Sequence, residues 1–225
     1  MPIYGYITAT ALSFVGALIL VPLFIKLGRK SALTESGSVG TPGRSAVPNL
    51  GGIPVIMAIS FGALVAFELY PEASKDYIRA IWGITLGTII VMGMGFADDR
   101  LELHPGIKIL LQTVAALVAI SFGIETTVIT NPFNGALLLG PFSIPFTVLW
   151  IVGITNAVNL IDGLDGLAPG VLAVAGISLF AISASNGFAF LAVIFLALFG
   201  ANLGFLCFNY PPARIILGNT GAYGL

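Results

Sequence analysis

Charge is what this sequence has least of. Asp, Glu, Lys and Arg together make up 8% of its 225 residues, against roughly a quarter in an ordinary soluble domain. Apolar residues reach 57% and the mean hydropathy is +1.04. A soluble fold of this length has no interior large enough to hide that much apolar surface, so the expected solvent is a lipid bilayer. The single cysteine, Cys207, excludes a disulfide framework within the chain and, lying in an apolar run, is expected as a small core residue. The single histidine, His104, excludes a His/Cys zinc cluster and reads as a loop residue. The net charge of −1 says little beside the distribution of the charges; no nucleic-acid partner is expected. The N-terminus lacks a basic stretch followed by a short apolar run and a small-residue cleavage site, so the first apolar run reads as a retained span.

Apolar runs of spanning or near-spanning length fall at 3–25, 51–69, 79–97, 107–123 and 143–157. From Gly166 to Ala213 no charged residue occurs, and Ser185-Asn186-Gly187 supplies a turn between two further helices. Between the fourth and fifth runs, Thr126-Thr-Val-Ile-Thr130, Asn131-Pro-Phe-Asn-Gly135 and Leu137-Leu-Leu139 read as a hairpin. The predicted fold is all-α: a polytopic transmembrane helical bundle of about seven spans, with a small extracytoplasmic β-hairpin. With the N-terminus outside, the inner segments hold Lys26, Arg29, Lys30, Arg44, Arg100, Lys108 and Arg214, and the outer ones only Lys75 and Arg79. That is the positive-inside pattern of a multi-pass protein of the cytoplasmic membrane. It also places Asp98, Asp99, Asp162 and Asp165 on one face, the cytoplasmic one.

The chemistry is concentrated in Asn156-Ala-Val-Asn159-Leu-Ile-Asp162-Gly-Leu-Asp165-Gly-Leu-Ala168. An acid at the centre of a membrane helix costs about 2.5–3.5 kcal/mol on the insertion scale. Two acids within four positions, with Asp98-Asp99 ending another apolar run, therefore point to use. The bland alternative is a solvated turn, in which Asp, Asn and Gly are ordinary. On an α-helix the three-residue repeat spirals backwards by about 60° per step. Either 3₁₀ geometry aligns the set, or Gly163 breaks the helix and folds the last Asp inward. Clustered acids at a wet mouth call for a cation, and oxygen donors select Mg²⁺, with Mn²⁺ as the other candidate. In the first inner loop, 28–50, Arg44 stands near Pro48-Asn-Leu-Gly51-Gly52, where glycines at a helix start would let the backbone approach a phosphate. Lys26, Arg29 and Lys30 are explained equally well by topology alone. Carboxylates, a hard cation and basic residues at the inner surface suit a phosphate substrate with a lipid tail.

These residues resemble the polyprenyl-phosphate N-acetylhexosamine-1-phosphate transferases, and specifically the UDP-GlcNAc:undecaprenyl-phosphate type. The matches run in order along nearly the whole chain: Pro48-Asn-Leu-Gly-Gly-Ile53, then Gly95-Phe-Ala-Asp98-Asp99-Arg100 with Lys108-Ile-Leu-Leu-Gln112, then Asn156 to Ala168. Leu203 to Ala213, containing Asn209, and Leu217-Gly-Asn219-Thr-Gly221 complete the series. The resemblance implies one integral membrane transferase domain over 1–225. It implies a reaction in which polyprenyl phosphate attacks the β-phosphate of a UDP-N-acetylhexosamine and releases UMP, initiating cell-wall or surface-polysaccharide synthesis. Mg²⁺ is then the expected cofactor and the bilayer a partner, and because family members often form dimers a homodimer is implied too. It makes Asp98 and Asp99 catalytic, and Asn156, Asn159, Asp162, Asp165 and Asn209 substrate-binding; Arg44 joins the substrate-binding set by its place beside the paired glycines. A phosphate monoester has its second pKa near 6 and is already mostly a dianion at neutral pH. Orienting the nucleophile or holding the cation is therefore the expected role of the Asp pair. The Pro48-Asn-Leu-Gly-Gly run resembles the UDP-GlcNAc users more than the muramyl-pentapeptide branch.

Two features depart from the family. The position of its principal Mg²⁺ ligand, an Asp in Gly-Asp-x-Gly, is Asn219 here; with Asp162 it forms the expected metal site, at reduced charge. Read alone, Gly218-Asn-Thr-Gly221 is a tight turn with a left-handed Asn. Family members also continue through three or four more spans and a sugar-recognition loop. An impaired remnant that binds lipid phosphate or nucleotide without turnover is thus a second reading. An ion-coupled transporter is a third, and predicts acids at mid-membrane and an internal repeat. An intramembrane aspartyl protease fits least, because Gly93-Met-Gly95-Phe-Ala-Asp98 carries two extra residues.

Overall fold

A computed structural model describes residues 3–30, 34–35, 47–130 and 135–225. The apolar runs become seven long helices: α1 (Ile3–Lys30), α2 (Gly52–Leu69), α3 (Ile78–Leu101), α4 (Pro105–Ser121), α5 (Ser143–Ile161), α6 (Leu167–Ser185) and α7 (Ala189–Asn209). A short α8 (Gly218–Gly224) follows. Six of the described helices are long and apolar enough to cross a bilayer. The exception is α4, whose 17 residues rise only about 26 Å, short of the ~30 Å hydrocarbon core. Strand β1 (Thr34–Glu35) pairs with β2 (Val47–Pro48), a contact the sequence did not announce. Strand β3 (Val128–Thr130) pairs antiparallel with β4 (Ala136–Leu138), as the hairpin reading requires.

Packing follows membrane rules, in which small side chains replace the hydrophobic effect as the means of close approach. Helix α1 buries Gly5, Ala9, Ser13, Ala17, Val21 and Ile25, a stripe at four-residue spacing that faces both α2 and α7. Helix α7 is the centre of the bundle, packed on α1, α2 and α6. More than half of its span is buried, against about a tenth for α5 (56% and 11%). Cys207 does not join this core. It lies on the exposed side of α7 near the helix end, its Sγ 3.6 Å from the Leu203 carbonyl. His104 begins α4 as its N-cap, where Nδ1 accepts the Gly106 N–H at 3.1 Å.

The helices alternate in direction and so sort the chain into two ends. At one, Tyr77 stacks on Phe190 (4.6 Å) and Phe190 on Phe67 (5.3 Å). There too the Arg79 guanidinium donates to the Ser121 carbonyl at 2.6 Å, and Ser143 and Thr147 pin the start of α5 to Thr126. The other end gathers Asp98, Asp99, Lys108, the Asn156–Asp165 run and α8.

Candidate active site

Local structure decides how the thirteen-residue run is used. Helix α5 stops at Ile161, Asp162 is its C-cap, and α6 restarts at Leu167. Of the two geometries open in the sequence, the broken helix is the one adopted. The break turns on Gly166, which is left-handed at φ 78°, rather than on Gly163. The run is thereby divided: Asn156 and Asn159 remain on α5, while Asp165 swings towards α7.

Asn156 and Asn159 meet α3, α4 and α8. Asn156 and Gln112 form a reciprocal amide pair, Nδ2 to Oε1 at 2.6 Å and Nε2 to Oδ1 at 3.4 Å, with Gln112 fully buried. Asn159 Nδ2 donates to the Tyr223 hydroxyl at 3.2 Å, and that hydroxyl donates to Asp98 Oδ2 at 3.4 Å. Asp98 is buried and multiply held. Lys108 Nζ lies 2.7 Å from Oδ2, and the Leu103 N–H donates to Oδ1 at 3.0 Å. Burial, reinforced by the charge and hydrogen bond of Asp98 and then by the charge of Asp99, pushes the Tyr223 hydroxyl up to about 12. It therefore keeps its proton and acts as a donor.

Asp99 points the other way, into α8. Its Oδ1 accepts the Asn219 N–H (3.1 Å), and its Oδ2 accepts both the N–H (3.3 Å) and the hydroxyl (3.1 Å) of Thr220. Asn219 sits half-buried in the first turn of α8. It is not the left-handed residue of a turn; Gly218 is, at φ 73°. The corner closes by backbone packed on backbone. A Cβ at Gly52 would stand 1.9 Å from the Gly221 Cα, so neither position accepts a side chain. Gly51 and Gly52 donate their N–H groups to the Ile216 and Leu217 carbonyls, both at 2.9 Å. The paired glycines therefore build this junction, and the phosphate approach expected of their amides is not what the structure shows.

Asp165 and Asn209 form a separate staple. Asp165 Oδ2 accepts the Ala213 N–H at 3.0 Å; Asn209 Oδ1 accepts the Gly166 N–H at 2.9 Å while its Nδ2 donates to the Ile215 carbonyl at 2.8 Å. Asp162 is half-buried at the end of α5, between the two groups in sequence. Arg44 lies outside the described residues. Three participants escaped the candidate list. Lys108 and Gln112 share one face of α4 at four-residue spacing, a signal available in the sequence as polar residues within an apolar run. Tyr223 gave no signal.

A family profile, glycosyl transferase family 4, matches residues 81–225, which contain Asp98, Asp99, Lys108, Asn156, Asn159, Asn219 and Tyr223. The chain belongs to glycosyl transferase family 4. It is similar to a probable undecaprenyl-phosphate N-acetylglucosaminyl 1-phosphate transferase of Bacillus subtilis, 35% identical over 218 residues. That match covers 96% of this chain and 59% of the relative. It is also similar to phospho-N-acetylmuramoyl-pentapeptide-transferases. That of Listeria monocytogenes is 32% identical over 247 residues, covering 100% of this chain and 73% of the relative. That of Shouchella clausii is 35% identical over 231 residues, covering 95% and 70%. The chain thus spans about three-fifths to three-quarters of the length of these relatives, whose names divide between two sugars.

The donors gathered in this family 4 site are carboxylate, amide and hydroxyl oxygens. Among the described residues no three His, Cys, Asp or Glu side chains are grouped to hold a metal ion. Oxygen donors of this kind are the ones that a hard divalent cation selects.

Proposed function

We propose that this chain transfers an N-acetylhexosamine 1-phosphate from a UDP-sugar to polyprenyl phosphate at the cytoplasmic face of the membrane, releasing UMP. The observation that carries the reading is the convergence of Asp98, Asp99, Lys108, Asn156, Asn159 and Asn219 at one end of a membrane bundle in a family 4 chain. An oxygen of the lipid phosphate attacks the β-phosphorus of the UDP-sugar, and the bond from that phosphorus to the bridging oxygen breaks. UMP leaves with the bonding electrons. Such transfers need positioning and charge neutralisation more than covalent help. Lys108, fixed by Asp98 and partly exposed, presents its remaining N–H donors to the phosphates. Asp98 is a clamped anion that orients this ammonium, and Asp99 fixes the Asn219–Thr220 corner. Asn219, with Asp162, would hold a divalent cation, which when bound neutralises diphosphate charge. The GlcNAc form of the substrate is favoured by the Pro48-Asn-Leu-Gly-Gly run and by the Bacillus subtilis relative's name.

The test is detergent-solubilised chain mixed with radiolabelled UDP-GlcNAc, undecaprenyl phosphate and Mg²⁺. Lipid-linked label is the expected product, and its absence from folded protein contradicts the reading. Asn219 in place of the family's Asp favours one second reading, a remnant that binds without turnover. Under that reading only Asn219→Asp makes product. If the chain turns over as it stands, Asn219→Asp is expected to lower the Mg²⁺ concentration needed for half-maximal rate. The acids lie at helix ends, three residues from the end of α3 and at the C-cap of α5, which gives no support to a mid-membrane cation path.

A further inference from the structure

We infer that Tyr223 is a positioning residue for this reaction, its hydroxyl holding Asp98 of α3 and Asn159 of α5 in fixed register across the site. The inference rests on the transferase reading above and adds to it a residue from outside the candidate motifs. Geometry carries it. Tyr223 is buried, and its ring packs with Val91, Met94 and Ala115. Its hydroxyl takes the Asn159 amide at 3.2 Å and gives its proton to Asp98 at 3.4 Å. A tyrosine needed only as a core residue would leave its hydroxyl to any acceptor; this one joins two residues of the proposed site on two different helices.

The consequence depends on how α5 is held. Only about a tenth of its span is buried (11%). Its polar ties at this end include Asn156 to Gln112 on α4 and Asn159 to Tyr223 on α8. Apolar packing therefore does little to set where Asn159 stands relative to Asp98. The hydroxyl does so by direct contact with both, with its hydrogen committed to the carboxylate. Its loss leaves the Asn159 N–H without that acceptor and Asp98 with one donor fewer, while the ring stays in place. Small displacements of positioned groups cost rate more than binding.

The test is Tyr223→Phe, which keeps the ring and removes only the hydroxyl, assayed as UMP release from UDP-GlcNAc. The expected result is a kcat per folded molecule about tenfold lower, with KM for the UDP-sugar within about twofold, beside whatever fall in unfolding temperature the two lost hydrogen bonds bring. A purely structural role moves the unfolding temperature and leaves kcat per folded molecule unchanged, and that result overturns the inference. Asn159→Ala supplies the second arm. If Tyr223 acts through Asn159 and Asp98, the double variant falls well short of the product of the two single losses; independent, multiplicative losses overturn the inference. A folded parent chain that releases no UMP overturns the transferase reading itself, and the inference with it. A parent that turns over beside an unimpaired Tyr223→Phe overturns the inference alone.

Discussion

The two ends of the Asn/Asp run, amides at one and carboxylates at the other, are used differently. Asn156 and Asn159 bond side chains, namely Gln112 and Tyr223, and through Tyr223 reach Asp98. Asp165, at the other end, and Asn209 of α7 meet backbone: the Ala213 and Gly166 amides and the Ile215 carbonyl. A carboxylate that satisfies a buried amide is doing what folding demands of any buried polar group. A carboxylate paired with a half-exposed lysine and a second side chain is poised for a ligand. We propose from this contrast that Asp98, Lys108, Asn156 and Asn159 serve the chemistry, while Asp99, like Asp165 and Asn209, holds backbone in place.

The sharpest way to break this division is Lys108→Met. It leaves the buried Asp98 anion without its partner (2.7 Å), a change that costs about 3–5 kcal/mol in comparable pairs. Thermal unfolding should fall steeply, and adding Asp98→Asn should recover most of the loss without restoring activity. A recovery of turnover would remove Asp98 and Lys108 from the site. On the architectural side, Asn209→Ala strands the Gly166 amide and the Ile215 carbonyl, at about 1–3 kcal/mol. Its unfolding temperature should drop while UMP release per folded molecule stays near that of the parent. A selective loss of rate would place Asn209 back with the substrate.

Smaller effects sharpen the edges of the cluster. Glu102 is the one non-glycine residue at positive φ among the described residues (φ 49°) and closes α3 three positions after Asp99. Glu102→Gly should raise stability by about 0.5–1 kcal/mol, read from denaturant or thermal unfolding, because it removes the left-handed penalty. Burial first, then the Asp98 carboxylate, push the Tyr223 hydroxyl up to about 12, above an ordinary tyrosine at about 10. A raised value contributes stability that is whole below pH about 10 and is lost as pH climbs through about 12. Unfolding followed against pH should show that alkaline limb, flattened in Tyr223→Phe.

How much of this could be read in the sequence varies with the physics involved. The seven helices follow from apolar runs whose length and bounding polar residues are set by the bilayer, so α1, α2 and the α6–α7 pair fall close to their expected limits. The β3–β4 hairpin was equally plain, with β-branched residues on one side of an Asn/Pro/Gly turn. Of the candidate residues, Asp98, Asp99, Asn156 and Asn159 converge as their shared face suggested, but their partners were not legible. Which acid meets Lys108 and which caps α8 depends on a one-residue rotation at the end of α3, which composition does not encode. Gly51 and Gly52 illustrate the same limit. Paired glycines mark a close approach, yet only the folded chain says that the approaching group is the backbone at Ile216–Gly221. Tyr223 was invisible because a lone aromatic in a short glycine-rich helix carries no periodicity.

The most direct measurement is UMP release from UDP-GlcNAc, with undecaprenyl phosphate and Mg²⁺, by the parent chain, Asp98→Asn and Asn209→Ala, each at a temperature where it is folded. The account predicts turnover by the parent, none by Asp98→Asn and near-parental turnover by Asn209→Ala. Equal rates in the parent and Asp98→Asn, or a loss confined to Asn209→Ala, would contradict it.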